Sequence, residues 1–225
     1  MVQPVNLSGA LLPPVACMPL TEADVADAAR LYTEVFLSDE PTSRRHAPDP
    51  AFVFRHACIY ILSLVGSGLS MLCRDQVTGG PAGFIFCFDA LDDPDPGREE
   101  TAWFSSAFRE AMAMIDDLEA RHLDRTSISA GEVIHIFQIG VARPYRGRGI
   151  ARSLVLKTLL SARDQGFCQA VADCTSTASK HVFERCGFSE QGFSPYESFC
   201  MEEVRFFAGI GGGISLMVKD LQDIP

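Results

Sequence analysis

No stretch of this 225-residue chain stays apolar for the ~18–20 residues that a membrane-spanning helix needs. The longest candidate, Cys58–Leu69, is too short and is interrupted by Gly66 and Gly68. No Lys or Arg precedes Arg30, so the N-terminus lacks the charged start of a secretory signal. The eight cysteines include no C-x-x-C pair, which argues against a zinc site or a disulfide framework. Free, buried thiols in a reducing compartment are expected instead, and with them a cytoplasmic location and no metal. Positive charge is scarce: 19 Lys and Arg stand against 29 Asp and Glu, a net charge of −10. Nucleic acid is therefore excluded as the main partner, since phosphate contacts need a basic face. A cationic substrate is compatible with this balance. No internal repeat and no low-complexity tract is present.

Apolar residues make up 47% of the chain and charged residues 21%, enough to build one core. The length suits a single domain over residues 15–225, behind a loose arm over residues 1–14. Val15–Leu20 reads as a strand. Thr21 with Asp24 reads as a helix start, and Val25, Ala28, Ala29, Tyr32, Val35 and Phe36 repeat at helical spacing. Pro41 is expected to end that helix, with a loop over 42–50. A helix follows over Ala51–Val65, then strands over Ser70–Arg74 and Ala82–Leu91, then an acidic loop at Asp92–Gly97. Trp103–His122 reads as one amphipathic helix. Val133–Val141 is a nearly continuous apolar run, as in a strand buried on both faces. Helices over Gly149–Gln165 and Ser176–Cys186 alternate with strands at Cys168–Asp173, Phe188–Phe193 and Ile214–Lys219. The order implies one α/β sheet domain.

The most informative string is Arg146-Gly147-Arg148-Gly149-Ile150-Ala151, between the buried strand and a helix. Its glycines let backbone N–H groups approach a ligand, and a helix N-terminus favours an anion. From Val133 through Arg163 no acidic residue occurs, while Arg143, Arg146, Arg148, Arg152, Lys157 and Arg163 all do. This reversal of charge fits a pyrophosphate. No P-loop string is present, and Arg152 occupies the third glycine place of a Rossmann fingerprint.

Arg146–Ala151 resembles the Q/R-x-x-G-x-G/A cofactor motif of the GNAT superfamily of acyl-CoA-dependent N-acyltransferases, and Ile134–Val141 resembles that superfamily's central strand. The resemblance implies a mixed, mostly antiparallel sheet flanked by helices, with a splayed central strand. It further implies that the backbone of Ile139, Gly140 and Val141 pairs with pantetheine and that Arg146, Gly147, Arg148, Gly149, Ile150 and Ala151 hold the pyrophosphate. Cys174-Thr175-Ser176 through Gly187-Phe188 is similar to the family's next helix, with Ser176 against the cofactor. A narrower resemblance, to insect-type arylalkylamine N-acetyltransferases, rests on Phe36-Leu37-Ser38-Asp39-Glu40-Pro41 and on Ser215–Leu221. It implies acetyl-CoA as co-substrate, a primary amine as acceptor and Glu40 as general base. Many family members place a Tyr where this chain has Phe183, so Ser179, Ser176 or solvent must protonate the departing thiolate.

Several residues keep two readings. A carboxylate such as Glu40 is often only a solvated charge, but at the expected helix C-terminus its charge is unfavourably placed. Ser176 and Ser179 either cap a helix or touch ligand. Phe206 and Phe207 either wall the acceptor pocket or dock into the core, and His135 is either a packed core residue or a catalyst. Polyamines are the alternative acceptors, and a CoA-binding regulatory domain without turnover is the alternative class. The oligomeric state stays open.

Overall fold

The computed structural model describes residues 14–92 and 99–222. All but the last residue of the arm expected over 1–14 and most of the acidic loop expected at Asp92–Gly97 lie outside these residues. Among the described residues, strands β1 (Val15–Pro19), β2 (Met71–Asp75), β3 (Pro81–Asp89), β4 (Val133–Val141), β5 (Gln169–Cys174), β6 (Ser189–Pro195) and β7 (Gly213–Asp220) form one sheet in the order β1-β2-β3-β4-β5-β7-β6. Every neighbouring pair is antiparallel except β4 with β5. The helices are α1 (Val25–Asp39), α2 (Pro41–His46), α3 (Pro50–Ser63), α4 (Glu99–Ala107), α5 (Arg109–His122), α6 (Ile150–Asp164) and α7 (Thr177–Glu184).

Strand alternation sorts the core onto two faces. Ala170, Ala172 and Cys174 of β5 join Leu154, Val155 and Leu159 of α6 and Phe183 of α7 on one face. Val171 faces the other way, against Met114, Ile115 and Leu118 of α5. Beside it, α1 and α3 cover Phe84 and Phe86 of β3 with Ala28, Tyr32, Val53 and Ile61. No described helix is long and apolar enough to cross a membrane.

Three expectations are corrected. The first helix ends before Pro41 with Glu40 extended, as expected, but the loop expected over 42–50 is largely α2, which Pro41 opens at its first position, where its missing N–H has no intrahelical role. The helix expected over Trp103–His122 is two helices, bent where Phe108 adopts φ −113° and ψ 21°. The Phe108 ring packs there between Phe36 and Phe104, with centroids at 5.2 and 4.5 Å. Finally, Cys17 and Cys73 face each other across the β1–β2 ladder and form a disulfide. They are not the free thiols expected, so the inference of a reducing compartment loses its premise at this pair. Cys58, Cys87, Cys168, Cys174, Cys186 and Cys200 remain free.

Arg74 of β2 ties the sheet to the start of α1. It donates to Asp24 Oδ1 at 2.7 and 3.1 Å and to Asp27 Oδ2 at 2.9 Å. Burial opposes ionisation of Asp24, but hydrogen bonds from Thr21 and Arg74 outweigh it; the Arg74 hydrogen bond does the same for Asp27 against a smaller burial effect. Both carboxyls are held below their ordinary range. Lowered carboxylate pKa values stabilise the fold above the unfolded value of about 3.9, and that gain disappears as pH falls through the folded values. Arg74→Met should therefore cost about 1 kcal/mol at pH 7, solvent screening included, in urea unfolding. The difference from the wild type should narrow in acid; a cost independent of pH would assign Arg74 to packing alone.

Candidate active site

Strands β4 and β5 pair only from Val133–His135 to Gln169–Val171. Beyond that point β4 continues to Val141 along β3 alone. Its free edge from Ile136 onward faces a gap rather than a strand. The register against β3 slips between Phe86 and Cys87, leaving Phe137 as an extra residue that bends β4. Gly140 sits in this stretch because a Cβ there would lie 2.5 Å from the Phe84 ring.

At the end of β4 the chain makes one tight turn over Arg143–Tyr145 and enters α6 through Gly147 and Gly149. Both glycines have positive φ, +74° and +76°, which L side chains rarely adopt. Gly149 caps α6 with no side chain in the way, and the first turn holds no acidic residue. Its N–H groups lack intrahelical acceptors and point past the glycines, which fits a pyrophosphate. Ile150 turns inward into the core. The arginines divide their contacts. Arg148 lies over the Tyr145 ring at 5.1 Å, and Tyr145 donates to Asp75 at 2.7 Å. Arg146 donates to Val141 O at 3.1 Å and pairs with Asp39 at the end of α1. Burial opposes ionisation of Asp39, yet Arg146 holds its carboxyl below the usual range, with Arg143 adding at 3.8 Å.

On the face of α1, α4 and α5 a pocket opens onto the gap. Tyr32, Phe36, Phe84, Phe104, Phe108 and Phe137 form its aromatic walls. Three carboxylates, Asp39, Glu40 and Asp173, the amide of Gln138 and the hydroxyls of Thr42, Thr175, Ser176 and Ser179 supply its polar groups. Glu40 is both the last cap of α1 and the N-cap of α2. Its Oε2 accepts from Thr42 Oγ1 at 2.7 Å and from the Ser43 N–H. Its charge is thus favourably placed at a helix start, correcting the expectation of a misplaced C-terminal charge. The other oxygen, Oε1, is buried and has no protein partner.

Ser176 and Ser179 do two things at once. Ser176 Oγ accepts from Ser179 N at 3.1 Å as the N-cap of α7, and the two hydroxyls lie 3.0 Å apart on the pocket wall. Ser179 Oγ donates to Ser176 O at 2.9 Å, so Ser176 is the donor in the contact between the two hydroxyls unless a ligand takes its proton. Phe183 also reaches the pocket but offers no proton. Burial pushes the neighbouring Cys174 thiol up to about 12, so it is no nucleophile at neutral pH. Phe206 and Phe207 do not line the pocket. They pack around His46, with ring centroids at 4.7 and 5.8 Å, and Phe207 is fully buried. Asp173, Thr175 and Tyr32 were missed in the sequence. The signal for Asp173 was a lone carboxylate inside an apolar strand.

The gap beside a bent strand, the glycine turn beneath a helix start and the aromatic pocket beyond define a protein of the acyl-CoA-binding acyltransferase class. A model of the acetyltransferase (GNAT) family matches residues 30–188. The chain belongs to that family; it is an N-acetyltransferase, and its co-substrate is acetyl-CoA. Solved structures with the same fold include a putative arylalkylamine N-acetyltransferase 7 from the yellow fever mosquito Aedes aegypti, at 19% identity and TM-score 0.78, covering 98% of this chain and 93% of that one. The C-terminal condensation domain of Ebony, bound to beta-alanyl-dopamine, matches at 15% identity and TM-score 0.78, covering 93% and 100%. A polyamine N-acetyltransferase from Drosophila melanogaster that forms N-acetylagmatine matches at 16% and 0.68, covering 92% and 100%.

If the Gly147–Ala151 turn holds the pyrophosphate, Gly149→Glu should abolish acetyl-CoA binding in calorimetry, through both strain at positive φ and like charge. Arg148→Ala should weaken it by about 1–3 kcal/mol. Unchanged affinity in both variants would remove the turn from the binding site.

Proposed function

We propose that the enzyme acetylates the primary amine of an arylalkylamine by direct attack, with Glu40 as general base. The carrying observation is Glu40 Oε1, a buried carboxylate oxygen without a partner on the wall of an aromatic pocket. Thr42 and Ser43 occupy the other oxygen and fix the carboxylate in place. An ammonium group complements such an oxygen, and the rings of Tyr32, Phe36, Phe104, Phe108 and Phe137 complement a flat apolar body.

Acetyl-CoA supplies the activated acetyl group in the gap between β4 and β5. Glu40 Oε1 takes a proton from the acceptor ammonium, and the freed nitrogen attacks the acetyl carbonyl. Backbone N–H groups on the free edge of β4 are candidates to steady the oxygen that becomes negative. As the bond to sulfur breaks, the nitrogen gives up its second proton, and that proton or one from solvent reaches the thiolate, with Ser176 placed to hand it on. A thiol of pKa about 8.5 leaves tolerably even without a strong acid, which makes Phe183 acceptable in that place. No covalent enzyme intermediate is needed, in keeping with the protonated Cys174.

A further pocket carboxylate, Asp173, favours one alternative: an acceptor with a second cationic group, such as a polyamine.

Glu40→Gln keeps an acceptor for the Thr42 and Ser43 hydrogen bonds and turns an amide toward the pocket. Turnover should fall by about 10²–10⁴-fold while acetyl-CoA affinity holds. Wild-type turnover in this variant would discard the base assignment. Mass spectrometry of the enzyme incubated with acetyl-CoA alone should find no acetylated cysteine. A trapped acetyl-cysteine that chases into product would overturn direct attack.

A further inference from the structure

Asp173 lies near the end of β5, just past the last β4–β5 pair, and its side chain is 2% exposed although it lines the pocket. His135 of β4 holds it, with Nε2 at 2.9 Å from Oδ2. A carboxylate has no proton to give, so the imidazole donates. From α5, Glu119 Oε1 reaches to 3.9 Å from the same Nε2, while Glu119 Oε2 accepts from Arg125. After these contacts Asp173 Oδ1 and Glu119 Oε1 are still buried without partners.

Burial, then repulsion by Asp173, raises the Glu119 pKa against the pull of His135 and Arg125. Burial likewise raises Asp116, with Asp173 adding and Arg125 opposing. Burial thus disfavours charge on the two α5 carboxyls behind the pocket.

We propose that Asp173 is a specificity-determining residue, whose Oδ1 accepts a hydrogen bond from a second donor on the acceptor, an O–H or N–H remote from the nitrogen that is acetylated. His135 and Glu119 are positioning residues that hold this carboxylate at the aromatic wall. A buried carboxylate oxygen without a donor is costly, and a ligand that supplies one removes the cost. An otherwise identical amine lacking that donor leaves the oxygen stranded, which is how a polar site rejects an apolar analogue. The proposal rests on the pocket being the site of a primary-amine acceptor, as argued above.

The test compares two pairs of amines, each differing by one group: tyramine with phenethylamine, which lacks the ring hydroxyl, and putrescine with butylamine, which lacks the second ammonium. Wild-type kcat/KM should favour the richer member of at least one pair by about 10–100-fold, mostly through KM, and the pair that responds identifies the donor. Asp173→Asn, with acetyl-CoA affinity intact, should bring that ratio down to about threefold or less. Equal kcat/KM within both pairs overturns the inference and needs no variant. A ratio retained in Asp173→Asn overturns it as well. The donor atoms of Glu119, His135 and Asp173 lie within 4.8 Å of one another. A preference abolished by chelator and restored by zinc would therefore assign the cluster to a cation and overturn it too. Failure to acetylate any of the four amines counts instead against the acceptor reading itself.

Discussion

The interrupted ladder between β4 and β5 is the constraint on which the rest depends. Each strand is committed to its outer neighbour: β5 pairs with β7 along its whole length, and β4 pairs with β3 past the Phe137 bulge to Val141. With both strands held from outside and β4 bent by an extra residue, they separate after His135 and Val171. From Ile136 onward the inner edge of β4 has no strand partner among the described residues. An amide-bearing arm such as pantetheine can fill that place as a strand would.

Both ends of the gap are tied to it by short polar contacts. The salt bridge between Arg146 and Asp39 joins the turn before α6 to the end of α1. One residue further on, Glu40 caps α2 with one carboxylate oxygen and leaves the other in the pocket. The phosphate-binding candidate and the base candidate are therefore positioned by the same junction. That link gives a physical reason for Asp39 and Glu40 to stand side by side.

Much of this was legible in the sequence because local patterns were unopposed. The apolar run of Val133–Val141, the glycine turn and the helix after it all stand where periodicity and charge put them. The misses share a different origin, namely partners distant in sequence or a residue with two local meanings. Pro41 both stops one helix and starts another, and the sequence does not say which. Cys17 and Cys73 are 56 residues apart and become neighbours only through the β1–β2 register. Phe206 and Phe207 were open to two readings, a pocket wall or a docked pair, and only their packing against the buried His46 ring favours the second. Asp173 faces the pocket only because the parity of β5 turns it, like Val171, toward α5.

Direct transfer requires acetyl-CoA and the amine to occupy the gap and its pocket together. Initial rates measured over a grid of both substrate concentrations test this without any variant. Double-reciprocal lines that intersect are the predicted result, since both substrates must be bound before transfer. Parallel lines, the signature of an acetylated enzyme formed before the amine binds, would contradict it.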